Sequence, residues 1–210
     1  MTKVVTFANV KGGTGKSTLC VNVAARLTKI GQAVSAFDAD QQKSTYDWIS
    51  NSLDPNLTGV KCFKPTNVTN FEEVLEDKPD YVLVDTPGSL SKELAYFLSK
   101  STLVVVPCRT SRDDIIGQGW IQLFLEKAGE PGSATTLITV LNCVNKRTSI
   151  FKHIREELKR ERSTVAETVI SQRVAYSETN VNKISVIGYN KFAEAEIESL
   201  VREIVDYCEV

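Results

Sequence analysis

The chain has 210 residues, of which 42% are hydrophobic and 24% charged, a composition that is ordinary for a globular protein and excludes wholesale disorder. Its length suits a single α/β domain, which we expect to span residues 1–210. The formal net charge is −1, from 25 Lys and Arg against 26 Asp and Glu, so a surface uniformly coated in positive charge is excluded while a local basic patch is not.

Short apolar runs alternate with segments of helical periodicity along the chain. The runs predict strands at residues 4–8, 33–37, 81–84, 103–106 and 136–141. Apolar residues at helical spacing predict helices at residues 17–30, 71–76, 90–98, 115–128, 150–162 and 191–207. The weakly patterned stretch 50–70 is predicted as a loop with room for one short strand.

Alternation of strands and helices predicts a doubly wound α/β fold, in which helices cover both faces of a mostly parallel sheet. Ligands of such sheets bind at the carboxyl ends of the strands. Polar motifs follow the strands of this chain at those ends: a glycine-rich loop, Asp38-Ala39-Asp40, Asp85-Thr86-Pro87-Gly88 and Asn142. We therefore expect these motifs to converge in space.

The glycine-rich loop after the first strand carries the strongest chemical signal. It reads Lys11-Gly12-Gly13-Thr14-Gly15-Lys16-Ser17-Thr18. Its glycines let the backbone curl so that N–H groups point inward at a phosphate, and the following helix adds its positive N-terminus. Lys16 is predicted to reach the β- and γ-phosphates, Ser17 to ligate Mg²⁺ and Thr18 to hydrogen-bond an α-phosphate oxygen. The loop predicts a P-loop protein that binds ATP with Mg²⁺.

Lys11 departs from the usual phosphate-loop pattern, which has a glycine at the position of Val10. At the mouth of the loop, Lys11 is too far along the chain to serve the same phosphate as Lys16. Two interpretations stay open. Lys11 either reaches a nucleotide in a second subunit, supplying positive charge in trans as an arginine finger does, or it is a solvated surface lysine.

Three carboxylates end the neighbouring strands. Asp85 stands at the Walker B position, whose carboxylate orients Mg²⁺. Asp38 and Asp40 are two residues apart, and we expect different roles for them, one toward Mg²⁺ and the other toward an attacking water. The alternative for one of them is an N-cap of a helix that starts near Gln41.

Asn142 follows the last predicted strand. Its amide offers a donor and an acceptor, which suits the N6 and N7 edge of adenine. The alternative is an asparagine that only forms a turn.

Together these motifs resemble the ParA/MinD family of deviant Walker ATPases. The loop matches the family's K-G-G-x-G-K-[ST]-T motif. The run Asp38-Ala39-Asp40-Gln41-Gln42 is similar to its D-x-D-P-Q switch. The run Val82-Leu83-Val84-Asp85-Thr86-Pro87-Gly88 is similar to its Walker B strand with the second switch. The run Ile170-Ser171-Gln172-Arg173-Val174-Ala175-Tyr176 resembles a segment of the small plasmid-partition ATPases. The resemblance spans nearly the whole chain and departs at Gln41, where the family usually has proline.

The resemblance implies roles for these residues. The family's catalytic residues correspond to Lys11, Lys16 and Asp40, with Lys11 crossing the dimer interface and Asp40 positioning the hydrolytic water. The residues around Mg²⁺ correspond to Ser17, Asp38 and Asp85. The nucleotide-binding set corresponds to Lys11, Gly12, Gly13, Thr14, Gly15, Lys16, Ser17, Thr18 and Asn142, the last of them on the base.

A basic stripe is the candidate for DNA contact. Residues 146–162 contain seven Lys or Arg and three Glu. Apolar residues lie on one helical face, and the basic residues lie along another: Lys152, Arg155, Lys159 and Arg162. Such a stripe suits contacts to phosphates, and Arg173 is a weaker candidate. The alternative is a solvated helix face with Glu–Arg pairs.

Partition ATPases bind nonspecific DNA as ATP-bound dimers, so the resemblance implies a homodimer with ATP, nonspecific DNA and a centromere-binding, ParB-like partner that stimulates hydrolysis. Two rivals remain. A metabolic P-loop ligase or kinase would need a second substrate pocket, for which the sequence has no clear candidate, although Asp113 and Asp114 could line one. A same-fold ATPase would instead position a protein cargo.

Cysteine usage bears on the compartment. The five cysteines are scattered without a C-x-x-C pair, and the only histidine is His153, so a zinc site is not expected. Isolated cysteines suit a reducing cytosol, so we expect a cytoplasmic, nucleoid-associated protein. The sequence has no signal-peptide core or membrane span, and its acidic end lacks the basic amphipathic tail of a membrane-cycling protein, so no membrane partner is expected.

Overall fold

Short, mostly apolar runs form one parallel six-stranded sheet in the computed structural model, which describes residues 1–63, 69–128, 135–160 and 164–209. The strands are β1 (Lys3–Phe7), β2 (Val34–Asp38), β3 (Lys61–Phe63), β4 (Tyr81–Asp85), β5 (Leu103–Cys108) and β6 (Thr136–Leu141). They lie in the order β3-β2-β4-β1-β5-β6, with every neighbouring pair parallel. Parallel neighbours need crossover connections, which the helices supply.

The helices between the strands cover the sheet. They are α1 (Lys16–Lys29), α2 (Ser44–Ser50), α3 (Thr69–Glu76), α4 (Lys92–Lys100), α5 (Arg112–Ala128), α6 (Ser149–Arg160), α7 (Val174–Asn182) and α8 (Lys191–Glu209). Within the described ranges, no helix has both the length and the apolar character that crossing a membrane requires.

Alternating side chains of β1 show how the helices form two layers. Val5 and Phe7 belong to a buried cluster with α1, α2 and α8, whereas Val4 and Ala8 pack toward α3, α4 and α5. Successive residues of a strand point to opposite faces, so both faces of the sheet are buried. This explains why the central strands are nearly continuous apolar runs. The predicted doubly wound α/β fold is confirmed.

Some elements differ from the sequence-based expectation. The short strand expected within residues 50–70 is β3, but α7 was not predicted, and a helix near α2 entered only through the N-cap alternative. In α7 the buried residues are the small Ala175 and Thr179, while Val174 and Val181 are 71% and 78% exposed. Hydrophobic periodicity is therefore weak in this helix, and its position depends on tertiary contacts.

The carboxyl ends of the central strands lie level with one another. In the parallel register, Asp85 pairs with Phe7 on one side and with Asp38 on the other. The glycine-rich loop that follows β1 therefore starts beside two carboxylates. From the other side of the sheet, Asn142 directly follows β6 and reaches the same loop. The polar motifs therefore lie together at this edge of the sheet, as expected from the sequence.

Candidate nucleotide site

The glycine-rich loop is held in shape by Asn142. The Asn142 Nδ2 atom donates a hydrogen bond to the Thr14 carbonyl oxygen at 2.6 Å. Gly15 lies against the same amide with φ 98°, and a Cβ built there would collide with Nδ2. Only glycine suits a left-handed residue in such close contact. Asn142 thus contacts the loop itself, and its contact with a base stays a prediction.

Lys16 opens α1 and folds back over the loop. Its Nζ donates to the Lys11 carbonyl oxygen at 3.3 Å, and the residue is 7% exposed. Burial lowers the pKa of this ammonium, while the carboxylates of Asp85 and Asp40 raise it. Among the described residues this buried ammonium hydrogen-bonds to a backbone carbonyl, and it can exchange that contact for a phosphate oxygen.

Asp85 ends β4 as a fully buried carboxyl group. Its Oδ2 accepts a hydrogen bond from the Thr45 hydroxyl at 2.7 Å, and its Oδ1 has no hydrogen-bond partner among the described residues. Burial raises the pKa of Asp85 to about 7, with a further rise from the charge of Asp38, while the nearby Ser17 hydroxyl and the hydrogen bond from Thr45 lower it. A buried carboxylate oxygen without a partner, beside a serine hydroxyl, fits the oxygen ligands that Mg²⁺ prefers.

The raised pKa of Asp85 predicts a pH-dependent stability. The pKa of this carboxyl is about 7 in the folded chain against an ordinary value of 3.8, so the stabilisation that its protonated form provides is fully present below about pH 4 and is lost as pH rises through 7. Asp85→Asn cannot ionise, so we expect it to gain stability over the wild type as pH rises from 5 to 8, by at most about 3 kcal/mol.

Chemical denaturation in EDTA at pH 5 and pH 8 checks this expectation. Asp77→Asn is the control, because its carboxylate is half-exposed and pairs with Lys61 at the surface. A constant stability difference between Asp85→Asn and the wild type at both pH values would contradict the expected titration.

Both carboxylate oxygens of Asp38 accept hydrogen bonds from backbone N–H groups of its own loop. Oδ1 accepts from the Asp40 N–H at 3.0 Å, and Oδ2 accepts from the Tyr46 N–H at 2.9 Å. The second bond satisfies a backbone N–H in the first turn of α2, although neither aspartate is the N-cap residue of that helix, which is Lys43. Burial raises the pKa of Asp38, and these hydrogen bonds lower it. Asp38 therefore shapes the loop between β2 and α2, and a role around Mg²⁺ stays a prediction.

Asp40 lies at the mouth of the site. It is partly exposed, and its Oδ1 accepts a hydrogen bond from the Gln42 N–H at 2.9 Å. Its charge raises the pKa of Lys16, so the two side chains share one electrostatic environment. This position at the open side of the loop is compatible with orienting a water molecule.

Lys11 makes contacts that neither sequence interpretation included. Its Nζ lies 3.3 Å from the Ser111 Oγ, 3.4 Å from Asp114 Oδ2 and 3.9 Å from Asp113 Oδ2. Asp114 is 1% exposed, whereas the Lys11 side chain is 39% exposed. Asp113 and Asp114, which the sequence offered for a second substrate pocket, thus hold the lysine within its own subunit. The two acidic residues in the first turn of α5 are the sequence signal for this contact.

The second switch packs directly on the phosphate loop. A Cβ built at Gly88 would lie 3.1 Å from the Gly12 backbone nitrogen. A side chain at Gly88 would force the backbone of the phosphate loop to shift by a few tenths of an ångström. The loop after β4 is therefore in close contact with the loop after β1.

The predicted DNA-contact residues are not equally available. Phe151, Ile154 and Leu158 bury one face of α6, and Lys152 and Lys159 are exposed on the other.

The arginines of that set have acidic partners. Arg155 pairs with Glu167 at 2.5 Å, and Arg173 donates to both carboxylate oxygens of Glu196 at 2.7 and 3.2 Å. Arg162 lies outside the described residues. Lys152 and Lys159 are thus the clearest described candidates for phosphate contact.

A cavity of about 480 Å³ lies beyond Asn142, at the same edge of the sheet. It is lined by residues 144–147, which follow β6, and by residues 171–173, which precede α7. Ser171 and Arg173 are fixed there by Glu196. The cavity starts two residues after Asn142 along the chain, and its lining is polar apart from Val144.

Comparison with known proteins places this geometry in a family. A model of the CobQ/CobB/MinD/ParA nucleotide binding domain matches residues 5–204. The maintenance of carboxysome distribution protein A of Halothiobacillus neapolitanus is 26% identical over 205 residues, which cover 94% of each chain.

Two solved structures have the same fold. A plasmid partition protein of Borrelia burgdorferi bound to AMPPNP superposes with a TM-score of 0.79 at 20% identity, over 98% of this chain and 99% of the other. The septum site-determining protein MinD of Pyrococcus horikoshii, complexed with Mg-ADP, reaches 0.78 at 16% identity, over 97% and 96%.

The match covers the sheet, the phosphate loop and both switch segments, and the predicted ParA/MinD resemblance is confirmed. The AMPPNP and the Mg-ADP in the two solved structures agree with ATP and Mg²⁺ as the predicted cofactors. The chain belongs to the CobQ/CobB/MinD/ParA nucleotide-binding domain family and is an ATPase of the ParA/MinD type.

Proposed function

We propose that this chain is a partition ATPase that dimerises with Mg-ATP, binds nonspecific DNA, and hydrolyses ATP when a centromere-binding, ParB-like partner stimulates it, so that plasmid or chromosomal DNA is segregated or positioned. The observation that carries the proposal is the loop with two lysines, in which Lys16 contacts the loop and Lys11 contacts a separate acidic pair. One domain of 210 residues performs these steps in the cytoplasm, on the nucleoid and without a membrane partner.

The nucleotide occupies the glycine-rich loop. Its N–H groups and Lys16 hold the phosphates, Thr18 adds a hydroxyl donor, and the base enters the cavity beyond Asn142. Bound Mg²⁺ neutralises charge that develops on the phosphates during hydrolysis. Ser17 and the unpartnered Asp85 Oδ1 are the residues that would hold it, with Asp38 behind them.

Hydrolysis needs a water in line with the γ-phosphate. Asp40 lies at the open side of the loop, where its carboxylate orients this water. Its loop lacks the proline that the family usually has at Gln41. Partner binding to the loop of Asp40 is the step that sets the turnover.

DNA binding follows from dimerisation. One subunit offers the exposed Lys152 and Lys159 on α6. Two subunits double the number of phosphate contacts, and the salt dependence of binding steepens with each contact. ATP thus switches DNA affinity without a new contact within either subunit, and Arg155, Arg162 and Arg173 are the secondary members of this surface.

Fluorescence anisotropy of a labelled random-sequence duplex tests the proposal. We expect salt-sensitive binding with Mg-ATP and none with Mg-ADP or without nucleotide. Lys152→Ala with Lys159→Ala should weaken binding across all sequences and reduce the slope of log K against log salt, by about 0.9 for each lost contact. Lys61→Ala is the matched control, since it removes an exposed lysine that pairs with Asp77 on another side of the sheet.

Absence of DNA binding in every nucleotide state, in a protein that binds ATP, would contradict DNA as the surface on which it acts. A second function then gains weight: an ATPase of the same fold that positions a protein cargo. The identity of 26% with a carboxysome distribution protein over 94% of both chains favours this candidate. This second function predicts dimers that form with nucleotide but do not bind DNA.

A further inference from the structure

Thr45 connects the loop after β2 to the carboxyl group that ends β4. It lies in the first turn of α2 and is fully buried. Its Oγ1 donates to Asp85 Oδ2 at 2.7 Å, across 40 residues of sequence. None of the motifs recognised in the sequence contains this residue.

The backbone around Thr45 is fixed on both sides. Asp38 accepts hydrogen bonds from the N–H groups of Asp40 and Tyr46, which close the segment between β2 and α2 into a compact loop. The Ala39 N–H also donates to the Asp85 carbonyl oxygen at 2.8 Å. The Thr45 hydroxyl is therefore presented to the Asp85 side chain by a loop that is itself tied to the Asp85 backbone.

Because of this contact, the two carboxylate oxygens of Asp85 differ in their hydrogen bonding. Oδ2 is occupied by Thr45, whereas the buried Oδ1 has no partner among the described residues. A hydrogen bond to one oxygen limits rotation of the carboxylate, and so determines the direction in which the other oxygen points.

We propose that Thr45 is a positioning residue, which holds Asp85 so that Oδ1 faces the Mg²⁺ of the bound nucleotide. The inference rests on the proposed function, because it concerns the metal of the same site. It makes Thr45 a link between the loop that carries Asp40 and the carboxylate that orients the metal. Outer partners of metal ligands change metal affinity by about 10–100-fold when they are removed.

The test separates metal binding from nucleotide binding. Binding of a fluorescent ATP analogue is measured first in EDTA and then as a function of Mg²⁺ concentration. In Thr45→Val, which keeps the volume and removes the hydroxyl, we expect the Mg²⁺ concentration at half-saturation to rise at least about 10-fold. Affinity in EDTA should stay within about twofold, since the loop donors are unchanged.

Two further variants complete the experiment. Thr45→Ser keeps the hydroxyl and should restore the wild-type response to Mg²⁺. Thr139→Val is the matched control, because its hydroxyl is also buried but has no hydrogen-bond partner among the described residues. If the valine variant does not fold, Thr45→Ala carries the same prediction.

Two outcomes would overturn the proposal: an unchanged Mg²⁺ response in Thr45→Val, or an equal loss of affinity with and without Mg²⁺, which would make Thr45 a residue of general structural importance. Failure of the proposed function gives a different result. In that case the wild type itself would not bind the ATP analogue, or its binding would not respond to Mg²⁺.

Discussion

Replacing Lys11 with alanine is expected to abolish ATP-dependent dimerisation and to lower ATP turnover by about 10³-fold, the lower end of what a cation supplied in trans contributes to phosphoryl transfer. The loop keeps its glycines and Lys16, so binding of ATP to the monomer should survive. Light scattering after size-exclusion chromatography with AMPPNP gives the oligomeric state, and phosphate release gives the turnover. Lys29→Ala is the control, since its ammonium pairs with Glu194 away from the loop.

The contact between Lys11 and Asp114 sharpens the test. In the monomer this buried carboxylate holds the lysine within its own subunit, so dimerisation has to release it. Asp114→Asn keeps the shape and removes the charge, and should tighten dimerisation in AMPPNP. A Lys11→Ala protein that dimerises and hydrolyses ATP as the wild type does would show that the lysine has no role in trans.

Replacing Gly15 with alanine is expected to weaken ATP binding by roughly 100-fold. Two separate effects add up at this position. Left-handed backbone is unfavourable for alanine by about 1–2 kcal/mol, and Gly15 has φ 98°. The new methyl group also collides with the Asn142 amide, and crowding of this kind typically costs about 1–3 kcal/mol.

Calorimetric titration with ATP measures the effect, and a second substitution separates its causes. Asn142→Ala removes the colliding amide, so Gly15→Ala combined with it should recover the steric part of the loss and keep the backbone part. Gly119→Ala on α5 is the control, because no atom lies within 4 Å of its added Cβ. Wild-type affinity in the Gly15→Ala protein would show that the loop does not need this backbone conformation.

Much of the fold could be predicted because the buried strands carry their signal locally. The apolar runs of β1, β4, β5 and β6 are recognisable without any knowledge of their neighbours, and so is the amphipathic stripe of α8. The exceptions are α2 and α7. The buried residues of α7 are small, whereas α2 is only seven residues long and is held by contacts such as the hydrogen bond from the buried Trp48 Nε1 to the Ile184 carbonyl oxygen, far along the chain.

The candidate site divides in the same way. The glycine-rich loop, both switch segments and the candidate metal carboxylates were recognisable, because phosphate and Mg²⁺ demand particular residue types at short spacings along the chain. The contacts that each of these side chains makes were not recognisable from the sequence. The partners of Lys11 lie about 100 residues away, and Asn142 contacts a loop 128 residues before it.

The amino-acid order alone therefore determines the chemistry of this protein: a phosphate loop with two lysines, carboxylates at strand ends, and a sheet buried on both faces. Only the tertiary structure decides how that chemistry is held before the nucleotide arrives. It brings Asp114 to Lys11, Glu196 to Arg173 and Thr45 to Asp85. The reason is physical: short-range patterns record what a residue can bind, whereas the packing of distant elements selects which partner lies within reach of a hydrogen bond.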